Sequence, residues 1–120
     1  MTEDNNLHWR DSLPSGWGAL YETLLADLSA AGFTVNVPQA KEKFGMMRVY
    51  LEQCPDDAMP ILLAAERSSG KICQVCGGAA GLRVRNHVYA TLCDQHGEGW
   101  KMADEPPMLS MNIRGRGIDD

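Results

Sequence analysis

The sequence predicts a small α+β domain with a helix, a β-hairpin, a second helix and a metal-ligating hairpin module. Three observations predict this fold class. Apolar residues first recur with a helical period, two alternating segments rich in β-branched residues follow, and two pairs of metal-ligand residues enclose a third alternating stretch. The composition agrees, because 44% hydrophobic and 22% charged residues are ordinary values for a globular protein.

The first helix is predicted over about residues 17–31. Its apolar stripe recurs at spacings of four, four and three, and consists of Leu20, Leu24, Leu28 and Ala31. Gly32 follows as the expected C′ residue, because glycine readily adopts the left-handed conformation that ends many helices.

A β-hairpin is predicted next. Residues 33–37 and residues 47–51 both alternate between side chains that suit a buried face and side chains that suit water, as half-buried strands do. The turn or a bulge is expected between these strands, within residues 41–45.

The second helix is predicted over roughly residues 57–69. Cys54 and Pro55 end the preceding strand, and Asp56 or Asp57 can accept hydrogen bonds from the free N–H groups of the first helical turn. A proline at position 60 is tolerated in that turn, because its missing N–H is not needed there.

Two pairs of ligand residues predict one zinc site. Cys73 and Cys76 are separated from Cys93 and His96 by sixteen residues. Zinc prefers four sulfur or nitrogen ligands in a tetrahedron, and two close pairs separated by a hairpin-sized loop supply them. The sequence therefore predicts a single structural Zn²⁺ ion bound by these four side chains.

The spacing within and between the pairs predicts a treble-clef-like zinc hairpin-helix module. Glycines after the first pair permit a tight knuckle, and the spacing of Cys93 and His96 suits the first turn of a helix. Between the pairs, residues 82–92 alternate as two strands that turn at Asn86 and His87.

Two other interpretations of these residues stay open. Four protein ligands leave no coordination position for water, which is typical of a structural site. A catalytic site would require one ligand to be absent; His96 is the weakest candidate ligand, and His87 could replace it. Alternatively, the cysteines are redox-active or merely buried, stay reduced and bind no metal.

The charge balance favours a protein partner. The chain has a formal charge of −5, whereas proteins that coat nucleic acids are usually basic. The zinc segment is the one basic stretch, and its four cations are the predicted partner-binding residues: Lys71, Arg83, Arg85 and Lys101. A nucleic-acid-binding zinc module that uses these cations is the alternative.

The sequence contains no paired carboxylates, nucleophile and base, or phosphate loop at a recognisable spacing. We therefore expect a non-enzymatic protein that binds another protein. No run of about 20 apolar residues is present, so no membrane span is expected. The polar, acidic start lacks the regions of a signal peptide, which predicts a cytoplasmic protein.

Three regions are predicted along the chain. Residues 1–15 are expected to form a flexible N-terminal arm, and residues 16–103 a single zinc-stabilised domain. Residues 104–120 are expected to be a largely flexible tail, because they include two prolines, two glycines and four acidic residues.

Several short motifs surround the zinc ligands. They are Gly16-Trp17-Gly18, Lys41-Glu42-Lys43-Phe44-Gly45 with Arg48 and Tyr50, Ile72-Cys73 with Cys76-Gly77, and Thr91-Leu92-Cys93. Over about residues 16–97, this combination resembles a group of small, uncharacterised zinc-binding proteins from bacteria and their phages. The chain departs from the group at Ala19, where a second tryptophan is common, and at Met46-Met47, where Gly-Leu is common. The resemblance implies a bacterial or phage-infected cell and, by analogy, an adaptor or an inhibitor of a host machine.

Overall fold

The computed structural model describes residues 6–103, so that residues 1–5 and the predicted tail, residues 104–120, lie outside the described part of the chain. Its helices and strands are α1 (Gly18–Ala30), β1 (Gln39–Lys43), β2 (Met46–Tyr50), α2 (Met59–Ser69), β3 (Gly81–Arg85), β4 (Val88–Leu92) and β5 (Lys101–Met102). This mixture of helices and small sheets confirms the predicted α+β class. Within the described residues, no helix combines the length and the apolar character of a membrane span.

The strands form two antiparallel sheets. β1 pairs with β2, and the second sheet has the order β4-β3-β5. The larger core lies between the two helices and the first hairpin, and includes Trp17, Tyr21 and Leu62. A smaller core, with Cys73 and Ala90 among its buried residues, belongs to the second sheet. The predicted metal ligands therefore lie in the segments before β3 and between β4 and β5, beside this smaller core.

The first predicted helix is confirmed as α1. Leu24 and Leu28 of the predicted stripe are buried together with Tyr21, whereas Leu20 is half-buried and Ala31, just beyond the helix, is exposed. The helix ends at Gly32, which has a φ of 92°, and the N–H of Phe33 donates to the Leu28 carbonyl at 2.9 Å. This hydrogen bond belongs to a Schellman motif, so Gly32 is the C′ residue that the sequence predicted.

The first hairpin forms, but its first strand lies later than predicted. β1 spans Gln39–Lys43, whereas the sequence favoured residues 33–37. The turn consists of Phe44 and Gly45, with φ values of 53° and 83°. Two consecutive residues with positive φ are typical of a type I′ turn, which matches the twist of the paired strands.

Residues 33–37 alternate in burial as a strand would, but they bind side chains from the N-terminal segment. The side-chain amide of Asn6 donates to the Val35 carbonyl and accepts from the Val37 N–H, both at 2.9 Å. The indole N–H of Trp9 donates to the Val37 carbonyl at 2.7 Å. These side chains satisfy backbone groups that a partner strand would otherwise satisfy.

Residues 6–13 pack against the body, although they belong to the segment, residues 1–15, that was expected to be flexible. A 3₁₀ helix spans His8–Ser12, and Asn6 and Leu13 on either side of it are buried. The hydroxyl of Tyr21 donates to the Asn6 carbonyl. The acidic, polar composition of the arm suggested mobility, whereas its few apolar and amide side chains anchor it.

The second predicted helix is confirmed as α2, and it covers the free edge of β2. The Ser69 hydroxyl accepts from the Met47 N–H at 2.8 Å, and the Glu66 carboxylate accepts from the Val49 N–H at 2.9 Å. Both N–H groups are buried, so without these acceptors they would destabilise the fold. The predicted aspartate cap is not formed, because neither α2 nor the preceding 3₁₀ helix Asp56–Ala58 has a side-chain cap.

Candidate metal centre

The four predicted ligands meet at one point. Their ligand atoms, from Cys73, Cys76, Cys93 and His96, all lie within 4.8 Å of one another. All four cysteines of the chain belong to the described residues and none forms a disulfide, so no disulfide competes for these sulfur atoms. His87 is exposed in the turn between β3 and β4 and does not take the place of His96.

Three distances between the ligand atoms are close to those of a tetrahedral zinc site. Zinc bonds of about 2.3 Å to sulfur and about 2.1 Å to nitrogen place two sulfurs about 3.8 Å apart, and a sulfur and a nitrogen about 3.6 Å apart. The Cys76 and Cys93 sulfurs are 3.8 Å apart. His96 Nδ1 lies 3.7 Å from the Cys73 sulfur and 3.2 Å from that of Cys93. The four donors are therefore arranged to surround one metal ion.

Each ligand pair lies on a tight turn. The Gly77 N–H donates to the Cys73 carbonyl at 2.9 Å, and the Gly97 N–H donates to the Cys93 carbonyl at 2.7 Å. Gly77 has a φ of 81°, a conformation that residues with a Cβ atom rarely adopt. Both pairs thus have the same type of backbone hydrogen bond, although the sequence predicted a knuckle only at the first pair.

The prediction of a helix that begins at Cys93 is wrong. Residues 94–99 form turns, and the chain then enters β5, which pairs with β3. Two glycines explain the difference: glycine is unfavourable inside a helix, and Gly99 has a φ of 87°. The spacing of Cys93 and His96 fits a tight turn as well as a helix, so spacing alone did not distinguish the two.

Backbone N–H groups point at the cysteine sulfurs. At 3.4 Å in each case, Val75 donates to Cys73, Gly78 donates to Cys76, and His96 donates to Cys93. Hydrogen bonds of this kind favour the thiolate, which is the form of cysteine that binds metal.

The pKa values of the ligands follow from these contacts. Burial of the Cys73 thiol raises its pKa, but hydrogen bonds from neighbouring backbone groups oppose burial and bring the pKa to about 6. The backbone N–H of His96 lowers the pKa of Cys93. For Cys76, the Gly78 N–H favours the thiolate, but burial and the neighbouring thiols leave the pKa raised. The contact with the Cys93 sulfur raises the pKa of His96.

The first ligand pair is anchored to the start of α1. The fully buried Trp17 donates its indole N–H to the Ile72 carbonyl at 2.8 Å, and the Gly16 N–H donates to the Gln74 carbonyl at 2.7 Å. A Cβ atom at Gly16 would lie 2.0 Å from the Cys73 carbonyl oxygen. Only glycine therefore allows the backbone to approach the first ligand this closely.

The strand that leads to the second pair is anchored to the first hairpin. The Thr91 hydroxyl donates to the Gly45 carbonyl at 2.6 Å in a buried contact. The Gln74 N–H donates to the Thr91 carbonyl at 2.9 Å, and the Gln74 side-chain oxygen accepts from the Thr91 N–H at 2.8 Å. A Cβ atom at Gly45 would lie 2.6 Å from Leu82 Cδ1. Both halves of the metal centre are thus bonded to the body.

The supporting roles of Trp17, Gln74 and Thr91 were not predicted from the sequence. Two of these residues stand in the motifs that carry the resemblance to bacterial and phage proteins, together with Gly16 and Gly45. Co-occurrence of these motifs with the ligand pairs was the signal that could have linked them to the metal centre.

Of the predicted partner-binding cations, Arg83 is already bonded. Its Nε donates to the Leu92 carbonyl at 2.9 Å, and its Nη2 lies 2.7 Å from an Asp94 carboxylate oxygen. The side chain of Arg83 is only 12% exposed. It therefore fastens the turn of the second ligand pair to β3 and is a supporting residue.

The other three predicted cations do not share one surface with each other. Arg85 lies on the same face of β3 as Arg83, with its guanidinium 4.6 Å from the centre of the Trp100 ring. Lys101 is opposite Val84 in the sheet register, so its side chain belongs to the other face. Lys71 lines a groove beside α2.

A scan against protein-family models, a search of curated proteins and a search of solved structures each gave no match. Function is therefore inferred from the geometry of the centre and from the surface around it.

Proposed function

We propose that Cys73, Cys76, Cys93 and His96 hold one structural zinc ion. The proximity of three sulfurs and one nitrogen supports zinc, and four protein ligands would leave no coordination position open for catalysis. The module keeps the knuckle and the hairpin of a treble clef, with turns in place of its helix.

Metal analysis tests the zinc proposal. The purified protein should contain one zinc ion per chain by native mass spectrometry, and Cys93→Ala should contain clearly less. Full occupancy in that variant would show that the assigned ligands are wrong.

The proposed function of the zinc-stabilised domain is to bind another protein, without catalysing a reaction. The position of its exposed apolar side chains carries this proposal. Among the described residues, the large apolar side chains that are exposed are Val75 at 51%, Val88 at 57% and Met102 at 63%, and all three belong to the zinc module. Val88 and Met102 also lie on one face of the second sheet, opposite Arg85 and Arg83, and a shared exposed apolar face supports a surface that binds a protein.

The proposed setting is the cytoplasm of a bacterial or phage-infected cell, where the protein acts as an adaptor or as an inhibitor of a host machine. The resemblance to bacterial and phage proteins supports this setting. The absence of disulfides among the four cysteines also suits a reducing compartment, in which thiols remain able to bind metal.

Nucleic-acid binding through the zinc module has weaker support. Arg83 is bonded to Asp94, and Arg85 and Lys101 belong to opposite faces of the sheet. Binding dominated by phosphate contacts would weaken steeply as salt increases, and this dependence distinguishes it from protein binding.

Capture from bacterial lysate, with and without nuclease, tests the proposed function. Tagged, zinc-loaded protein should retain a stoichiometric protein partner after nuclease treatment. If all partners disappear with nuclease, the nucleic-acid alternative replaces the proposal. Turnover of a substrate that a folded single-residue variant loses would refute the non-enzymatic assignment.

A further inference from the structure

One face of the three-stranded sheet combines apolar and cationic side chains. Residues directly opposite each other in antiparallel strands share a face, and the register pairs Arg85 with Val88 and Arg83 with Met102. Alternate residues of β3 also share a face, which places all four side chains together. The guanidinium of Arg85 covers Trp100. We call the outer part of this surface, formed by Arg85, Val88, Trp100 and Met102, the Arg85 face.

The Arg85 face has the composition of a binding site. Tryptophan, arginine and methionine are enriched at the centres of protein interfaces, and tryptophan and arginine often dominate binding energy. Trp100 is half-buried and packs against the small core that contains Cys73, so its ring is held in place beside the metal centre. A fixed ring loses little conformational freedom when a partner binds.

The charges around the Arg85 face favour an acidic partner. The acidic side chain of Asp94 is paired with Arg83. Within residues 6–103, no carboxylate pairs with Arg85 or with Lys101, and both residues are exposed. Two cations without a carboxylate partner therefore flank this part of the sheet, although the whole chain is acidic.

The backbone beside these cations is the edge of a sheet. β5 pairs with β3 on one side only, and no strand of the described chain covers its other side. The Ala103 N–H donates to the Leu82 carbonyl at 2.9 Å, so the next pair, Arg83 and Met102, is a non-hydrogen-bonded pair. The N–H and carbonyl of Met102 consequently point toward the open edge.

We propose that the Arg85 face and the β5 edge bind an extended acidic segment of another protein. This inference rests on the proposed protein-binding function and names the surface and the chemistry of the partner. A strand added at β5 places one residue opposite Met102, where an apolar side chain fits, and the next residue opposite Lys101, where an acidic side chain fits. The third residue of the added strand lies on the Arg85 face again, where its carboxylate can contact the Arg85 guanidinium.

A nucleic acid fits this surface less well. Val88 and Met102 are aliphatic and have no charge to offer a phosphate, and the open backbone groups of Met102 suit a β-strand. A short peptide, Ser-Val-Glu-Glu-Val-Ser, presents the proposed order of side chains in either chain direction and serves as the probe.

Titration of this peptide into the zinc-loaded full chain, followed by ¹⁵N resonance shifts, tests the proposal. Shifts should concentrate at residues 100–103 and at Arg85. Arg85→Glu should weaken binding at least about tenfold, because it places like charges together. Arg67→Glu, the same charge change at an exposed position of α2, should leave binding unchanged.

Several results would overturn the proposal. They are an absence of shifts, equal binding of Ser-Val-Lys-Lys-Val-Ser, or equal weakening by Arg67→Glu, which would indicate an effect of total charge. Tighter, salt-sensitive binding of a ten-nucleotide oligouridine at the same residues would assign the surface to RNA. Movement of the Arg85 and Val88 resonances on replacing Asp104 and Glu105 with Asn and Gln, without peptide, would assign it to the C-terminal segment of this chain.

The capture experiment separates this inference from the proposed function. If Arg85→Glu retains the protein partner of the unmodified chain, the partner binds elsewhere; the Arg85 face is then wrong and the protein-binding function stands. If the unmodified chain captures no protein, the proposed function fails whatever the peptide does.

Discussion

Substitution of Cys73 by alanine should unfold the body as well as the zinc module. Cys73 is fully buried, and the backbone on both sides of it is bonded to the start of α1. Loss of this ligand releases the first knuckle, so that Trp17 and Gly16 lose carbonyl groups that accept their hydrogen bonds. We therefore expect the helix and the first hairpin to be lost together with the metal.

The magnitudes support loss of the whole fold. Zinc contributes about 10–16 kcal/mol to the folding of small zinc domains, whereas the total stability of a domain is about 5–15 kcal/mol. A hydrogen bond between body and module contributes about 1 kcal/mol, so the anchors alone cannot compensate for a weakened metal site. Cys73→Ala should therefore leave little folded protein at 25 °C.

Circular dichroism and ¹⁵N NMR of Cys73→Ala measure this loss. Helical signal and dispersed resonances of α1 should both disappear, and a chelator should have the same effect on the unmodified chain. Cys54→Ala is the matched control, because Cys54 is half-buried but lies outside the ligand cluster, and it should keep the fold. Native resonances of α1 in Cys73→Ala, with only the module disordered, would refute the coupling between metal and body.

Three further substitutions test individual contacts. Gly45→Ala should lower the free energy of unfolding by about 2–4 kcal/mol, because the added Cβ contacts Leu82. Gly32→Ala, also at positive φ but with open space around it, should lower the free energy of unfolding by only about 1–2 kcal/mol. Equal urea midpoints for the two variants would refute the steric reason. Thr91→Val should cost about 1–3 kcal/mol in the same assay, because the buried Gly45 carbonyl loses its donor; an unchanged midpoint would show that water replaces it. Burial raises the pKa of Tyr21 from 10.0 to about 12, so the contribution of the neutral phenol to stability is complete below pH 10 and is lost as pH rises through 12. Tyr21→Phe should remove this alkaline dependence of stability. If the dependence persists in the variant, another group causes it.

Features set by local sequence were predictable. The apolar stripe of α1 and the glycine after it define the helix and its end within a few residues. The clustering of Cys73, Cys76, Cys93 and His96 was also predictable, because two close pairs of metal-binding side chains separated by a hairpin-sized loop are typical of a metal site. The hairpin between the ligand pairs follows from alternation and from a two-residue turn.

Features that depend on distant residues were not predictable. Residues 33–37 have the alternation of a strand, but Asn6 and Trp9 occupy their backbone groups, and a periodic pattern does not identify such a partner. The prediction of a helix at Cys93 was wrong for a related reason. A spacing of three fits a helix and a knuckle equally, and the glycines that follow Cys93 were the deciding signal.

The motifs and the proposed partner surface occupy different parts of the molecule. Gly16, Trp17, Gly45 and Thr91 join the body to the metal centre, and their geometry leaves little freedom for substitution. None of the residues of the Arg85 face belongs to those motifs. Proteins that share the motifs should therefore share the zinc site and the junction, while their partners vary with the residues equivalent to the Arg85 face. A protein with the same motifs but an acidic residue in place of Arg85 should bind zinc equally and should not bind the acidic peptide.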